Sequence, residues 1–434
     1  MCDHGPMLEK LLDSRLADLE SQGLLRHAED GREREAAWHN AQLLGVQFVD
    51  ASSNDYLGLG CQLVSREMFD DAASGEVAIR DAPEGDSPGQ LNQPGRPQAA
   101  ESCLQERVSR ETTLPLSMGA GASRLIHGTR AAHRQLERQL AHWVGLPDAL
   151  LFSSGFSANV GLNACLALGD DLIFSDQLNH ASIIDGCRLA KGRVQIYPHL
   201  DLGHLEQQLS HTPEEAAKWV VTESYFSMDG DSPDLARLRS LCTRHGAFLV
   251  VDEAHALGVF GPKGAGLCSK QRIAPDVLVG TLGKAVGAQG AFVAGSGSLR
   301  TYLWNRARSF VYSTAPSPLL TALTALQVRR TQSQDPARER LHSACLRFRS
   351  HLAGAGVNLA PCSHGPIVPI VLGASERAMQ AVSQLASRGI LTQAVRPPTV
   401  PPGQSRLRIT LNAHMSDATV DRLAQELVTA CHAS

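Results

Sequence analysis

The fold is decided by residues 248–295, FLVVDEAHALGVFGPKGAGLCSKQRIAPDVLVGTLGKAVGAQGAFVAG. This stretch holds three short apolar runs, at 248–251, 277–279 and 291–294, each bounded by glycine, proline or charge. Runs of that length and richness in valine read as buried strands of a parallel or mixed sheet. The first run ends in Asp252, Glu253 and His255; the second ends in Thr281 and, three residues on, Lys284. In open α/β sheets, ligands bind beyond the carboxyl ends of strands. A carboxylate, an imidazole, a hydroxyl and an amine are therefore expected where a ligand lies.

That set suits pyridoxal 5'-phosphate. The cofactor needs a lysine amine for its aldehyde and an acid against its pyridine nitrogen, so that the ring stays protonated and withdraws electrons. Lys284 supplies the first and Asp252 the second, 32 residues apart in the chain. Thr281 and the glycine-rich turn 280–287 offer a hydroxyl and backbone N–H groups to a phosphate. Any one of these residues fits an ordinary buried ion pair or loop histidine; the ordered set carries the cofactor reading. A second anion site follows a strand predicted over 150–153. Gly155 there opens a helix, whose free N–H groups and positive dipole end suit an anion. Ser154, Gly155 and Phe156 are assigned to the phosphate on this ground.

VDEAHALGVFG at 251–261, followed by GTLGKAVG at 280–287, resembles the fold-type I pyridoxal-phosphate enzymes. More narrowly it is similar to the α-oxoamine synthases, which join an amino acid to an acyl thioester and lose carbon dioxide. The resemblance covers residues 8–430 apart from one insert. It implies an α/β fold, with a mostly parallel central sheet flanked by helices and a smaller C-terminal α+β domain. It also implies that His180 stacks on the pyridine ring and that Ser227 and His255 contact the ring oxygen. Ser313 and Thr314 would reach the phosphate from a second subunit, so the resemblance predicts a homodimer with a shared site. In SNDYLGL at 53–59, Asn54 would line the acyl-substrate entrance, and Arg26 falls where the family's N-terminal arm carries a substrate-contacting arginine. Arg408, on a C-terminal strand, would hold the amino acid carboxylate, a task that suits a planar guanidinium fork. Arg406 is its rival on the same strand face. The proline-rich loop RPPTVPPG at 396–403 is rigid, and its Thr399 would lie over the acyl chain. Within the family, this loop points to L-alanine and a pimeloyl thioester, carried by coenzyme A or acyl-carrier protein. Members that use glycine or serine are the alternative.

Along the chain, leucines at 8, 11, 12, 16, 19 and 24 recur at helical spacing and predict a helix over 7–28. A short strand follows at 46–49. Further strands are expected at 171–176, 194–197, 219–221 and 367–372, and helices at 131–144, 202–209, 299–308, 319–332, 336–353 and 376–388. The insert at about 70–107 holds DAPEGDSPGQLNQPGRPQ, which has no periodic apolar pattern; it is expected to be unstructured, since it cannot bury enough surface to offset its ordering entropy. Three parts result: an arm at 1–60, a large cofactor-binding domain at 61–317 and a small domain at 318–434.

Composition narrows the classes. Hydrophobic residues make up 43% and net charge is −4, which fits a globular protein with a sizeable core and gives no cause to expect nucleic acid or an anionic membrane. The ten cysteines form no CxxC pair, so no metal site is expected. Scattered cysteine without an apolar leader fits a cytoplasmic setting, and no apolar run reaches the ~20 residues of a membrane helix. A dinucleotide-binding module is disfavoured, because no GxGxxG follows the first strand.

Overall fold

The computed structural model describes residues 5–21, 32–60, 117–357, 359–360 and 362–433. Twelve strands are found among them: β1 (Val49–Asp50), β2 (Asp148–Phe152), β3 (Leu172–Asp176), β4 (Arg193–Tyr197), β5 (Lys218–Glu223), β6 (Ala247–Asp252), β7 (Val277–Thr281), β8 (Ala291–Gly295), β9 (Ile367–Gly373), β10 (Ile390–Leu391), β11 (Gln393–Val395) and β12 (Ser405–Thr410). Seven of them form the central sheet, in the order β2-β8-β7-β6-β5-β3-β4. The pairs β7–β6–β5–β3–β4 are parallel, while β8 runs antiparallel to both of its neighbours.

The apolar runs form these strands because both sheet faces are covered. Side chains alternate between faces along a strand. Val220, Leu249 and Val251 enter one core, and Val221, Val250 and Val279 enter another. Helices Gly155–Leu166, Ala181–Leu189 and Gly297–Arg306 pack on the second side. Ser154, Asp201, Asp234, Ser296 and Ser317 each cap the helix that follows by accepting a backbone N–H.

A three-stranded antiparallel sheet, β11-β12-β9, lies in the C-terminal part with helices Asp335–Gly354, Ser375–Ser387 and Asp417–Ala433. The predicted helices and strands from residue 131 onward match within a few residues, except that 299–308 is divided into Gly297–Arg306 and Arg308–Val311.

The N-terminal expectations need correction. Among the described residues the first helix covers Gly5–Ser21, starting two residues before the expected 7, and residues 22–28 of the expected span lie outside the described residues. The strand predicted at 46–49 is β1, Val49–Asp50, because its parallel partner β10 offers only Ile390 and Leu391. Helix Arg32–Leu43 was not foreseen. Its sequence is polar, and among its residues with described burial Ala37 and Ala41, one turn apart, are the buried ones. Ala41 seats against Gly389, where a Cβ would come within 2.5 Å of it. Arg26 and the insert at 70–107 lie outside the described residues.

Candidate active site

Register builds the centre of the site. Glu223 and Asp252 are neighbours at the ends of β5 and β6, and Asp252 pairs in turn with Val279 of β7. Beyond β7, residues 281–290 turn back to β8. Gly287 (φ +67°) lets this turn meet the SNDYLGLG segment, since a Cβ there would lie 2.4 Å from the Gly60 nitrogen. The lysine loop and the N-terminal arm are thus pressed together around Lys284.

Lys284 Nζ lies 2.7 Å from His255 Nε2 and makes no ion pair among the described residues. Burial pulls its ammonium down to about 8, against the attraction of Asp252 and Glu223. His255 Nδ1 is 2.7 Å from the Tyr56 hydroxyl. Burial, then the charge of Lys284, holds His255 well below its ordinary range, so the ring is neutral. Burial and the Asp252 carboxylate push Glu223 up to about 8.

Asp252 is held by Asn159 Nδ2 on Oδ2 at 2.7 Å and by the Ala254 N–H on Oδ1 at 2.8 Å. A carboxylate has about four acceptor positions, so capacity for a further donor remains. Asn159 Nδ2 also reaches Ser182 Oγ at 3.0 Å, and Ser182 Oγ lies 2.8 Å from His180 Nδ1. His180 caps helix Ala181–Leu189: its Nδ1 accepts the Ser182 N–H. Burial lowers its pKa, so it too is a neutral ring. Its backbone N–H donates to Glu223 at 2.7 Å.

A second group gathers at the mouth. Arg408 Nε donates to the Ser227 carbonyl at 2.6 Å, Nη1 to Thr410 Oγ1 at 3.0 Å and Nη2 to Asn54 Oδ1 at 3.0 Å. Asn54 Oδ1 also accepts from Tyr56 at 3.3 Å. Guanidinium has five N–H groups. The other N–H groups are not committed to these three partners, and the Tyr56 hydroxyl also bonds the guanidinium. Arg406 is different, because it is ion-paired with Asp229.

The phosphate candidates also converge. A Cβ on Gly155 would stand 3.6 Å from Thr281 Oγ1, so the start of helix Gly155–Leu166 faces the end of β7. Ser154 Oγ accepts the Ser157 N–H, leaving Gly155 and Phe156 with N–H groups that the helix cannot use. Phe156 is exposed. Ser313 and Thr314 line a narrow cleft with Arg124, Ser153 and Ser309, and Thr314 bridges to Ser123. No described contact joins them to Lys284. Thr399 is exposed on a turn closed by its N–H to the Arg396 carbonyl. Among the described residues no group of histidine, cysteine or carboxylate side chains forms a metal site. A buried acid with spare acceptor capacity, a half-buried amine whose described hydrogen bond is to a neutral ring, and a nest of free N–H groups fit pyridoxal 5'-phosphate.

Sequence reasoning missed Tyr56, Asn159 and Ser182. Tyr56 lies inside the quoted SNDYLGL string and was available there; Asn159, one turn into its helix, and Ser182, the second residue of its helix, had only those positions as a signal.

The profile of the class I and II aminotransferase family matches residues 92–427. An 8-amino-7-oxononanoate synthase from Alkalilimnicola ehrlichii is 46% identical over 71% of this chain and 79% of its own length. One from Chromohalobacter salexigens is 38% identical over 93% of this chain and 95% of its own. Among solved structures, serine palmitoyltransferase of Sphingomonas wittichii superposes with TM-score 0.74 at 26% identity, covering 90% of this chain and 88% of that one.

Proposed function

The chain belongs to the 8-amino-7-oxononanoate synthases, pyridoxal-phosphate-dependent acyltransferases with the aminotransferase fold, and on that premise we propose that it condenses L-alanine with a pimeloyl thioester. The new carbon–carbon bond forms between Cα of alanine and the acyl carbon. The thiol leaves, and the alanine carboxyl departs as carbon dioxide, giving 8-amino-7-oxononanoate for biotin synthesis.

The reading rests above all on one observation: Lys284 Nζ, drawn down to about 8 by burial, shares a site with Asp252 at adjoining strand ends. Asp252 would accept the ring N–H, and Asn159 and Ala254 hold its carboxylate for that task. Ser154, Gly155, Phe156 and Thr281 would hold the phosphate, with His180, Ser227 and His255 as the residues that would hold the ring. Pyridoxal 5'-phosphate supplies an electron sink for the carbanion at Cα. Arg408 binds the alanine carboxylate, with Asn54 and Tyr56 fixing the guanidinium. Lys284 would hold the cofactor through its aldehyde, and its Nζ is the base placed to take a proton from Cα of the amino acid. A lysine near 8 is a competent base at neutral pH. Tyr56 fixes His255, so the imidazole is held against that amine. Thr399 and the 396–403 loop are assigned to the acyl chain.

Ser313 and Thr314 come from the second subunit of a homodimer in this reading. Exposed Ile126 and Tyr312 on the two segments joined by the Ser123–Thr314 bridge support it. The division into an arm (1–60), a large domain (61–317) and a small domain (318–434) belongs to the same proposal. Among the described residues no helix is long and apolar enough to cross a membrane, which is consistent with a cytoplasmic enzyme.

A steady-state assay decides the substrates. Alanine, glycine and serine are each offered with pimeloyl-coenzyme A and pimeloyl-acyl-carrier protein, and carbon dioxide release is followed. Alanine with a pimeloyl thioester should be fastest. Faster turnover with glycine or serine would move the chain to a sister activity.

A further inference from the structure

His199 takes no part in the chemistry above, yet both of its ring nitrogens face carboxylates. Nδ1 lies 2.8 Å from Asp176 Oδ1 and Nε2 lies 3.1 Å from Asp231 Oδ2. Ionised carboxylates only accept, so each contact requires an N–H on the ring, and the geometry demands an imidazolium. Asp176 is fixed at the end of β3, where it also accepts the N–H groups of Leu178 at 2.9 Å and Leu200 at 3.0 Å. The ring stands edge-on to Phe226, with centroids 4.5 Å apart. Burial opposes the charge, but the two carboxylates outweigh it and push the histidine up to about 10.

Asp231 closes a tight loop. The Phe226 N–H donates to the Asp231 carbonyl and the Gly230 N–H to the Phe226 carbonyl, each at 3.0 Å. Inside the loop, the Ser227 carbonyl takes Arg408 Nε, and Asp229 pairs with Arg406. The same few residues that His199 clamps thus orient both arginines of β12. With Arg408 Nε committed to Ser227, the guanidinium has a defined direction.

We infer that His199 is a positioning residue: as a cation held between Asp176 and Asp231, it fixes the 226–231 loop so that Ser227 aims the Arg408 guanidinium at the amino acid carboxylate. This rests on the assignment of Arg408 above. The consequence is selective. Loss of the clamp weakens binding of the amino acid more than that of the acyl thioester, because Asp176, His199 and Asp231 make no described contact with Asn54, the residue assigned to the acyl entrance.

The test compares H199Q, D231N and R408K as holoenzymes, with KM for L-alanine and for the pimeloyl thioester measured separately. Glutamine spans only one of the two carboxylates, and asparagine keeps the loop's shape while removing one charge. Alanine KM should rise about tenfold in H199Q and several-fold in D231N, with thioester KM changing less. Isothermal titration of alanine into the holoenzyme without thioester should show the same loss. The double variant H199Q/D231N should bind alanine better than H199Q alone, because it removes the uncompensated buried carboxylate. Equal rises in both KM values, or none in alanine KM, would overturn the inference. If R408K leaves alanine KM unchanged, the carboxylate assignment falls instead. If R408K raises it and both clamp variants do not, only the clamp falls. D231N keeps the comparison open should H199Q fail to fold.

Discussion

Two buried charge clusters in this molecule use similar residues to opposite ends. Beneath the helix Ala131–Val144, the fully buried Glu137 meets Arg124 at 3.0 Å, Arg134 at 2.8 Å and Arg300 at 3.5 Å, and also accepts the Leu151 N–H. Arg124 lies over the rings of Trp304 and Phe310. Every charge there is in direct contact with its opposite. At the ends of β5–β7, Glu223, Asp252 and Lys284 are close enough to shift one another but not in contact pairs, and the described hydrogen bond of the amine is to a neutral imidazole. Direct pairing in a dry site locks geometry and holds each proton in place. Offset charges leave one proton mobile near neutral pH, which chemistry needs.

The sharpest way to break this contrast is Lys284→Ala. Turnover should fall by about 10⁴-fold or more, and the absorbance of bound cofactor should vanish; residual turnover near wild type would end the comparison. Glu137→Gln should act on the other cluster alone. Breaking a buried ion network by removing one partner costs about 3–5 kcal/mol of unfolding free energy, read by urea denaturation, while turnover per folded molecule stays close to wild type. Asp252→Asn should keep cofactor yet lose about 10²-fold in kcat. A pH series on cofactor-free protein sharpens the point further. Chemical labelling of Lys284 should have its midpoint near 8 rather than at the ordinary 10.5. With the folded-state value below the unfolded one, the unfolded chain binds more protons between about 8 and 10.5, so stability should rise with pH across that window. The smallest effect belongs to a surface pair. Arg388→Ala removes an exposed contact with Glu426 and should change stability by less than about 1 kcal/mol, seen as a barely moved melting temperature.

Much of the site was legible because strand ends announce themselves. The runs at 248–251 and 277–279 are apolar enough to be buried on both faces, and the polar residues that follow must then stand at the sheet's edge. Asp252, Thr281 and Lys284 were readable on those grounds. Their supports were not. Asn159 is 93 residues from Asp252, and Tyr56 is 199 from His255; no local pattern pairs them. Arg406 and Arg408 are equivalent in sequence, and only the packing of β12 gives one of them Asp229 and the other Ser227, Thr410 and Asn54. Helix Arg32–Leu43 escaped because two buried alanines are too small a signal.

The chain's own order of residues determined the sheet, the helix starts with their capping serines and aspartates, and the chemical types gathered at the strand ends, because burial period and capping are local properties. Which acid holds which amide, which arginine is spoken for, and how far the lysine's proton is loosened were decided only by the tertiary structure. Those properties depend on distance and dielectric between groups far apart in the chain, and folding alone sets both.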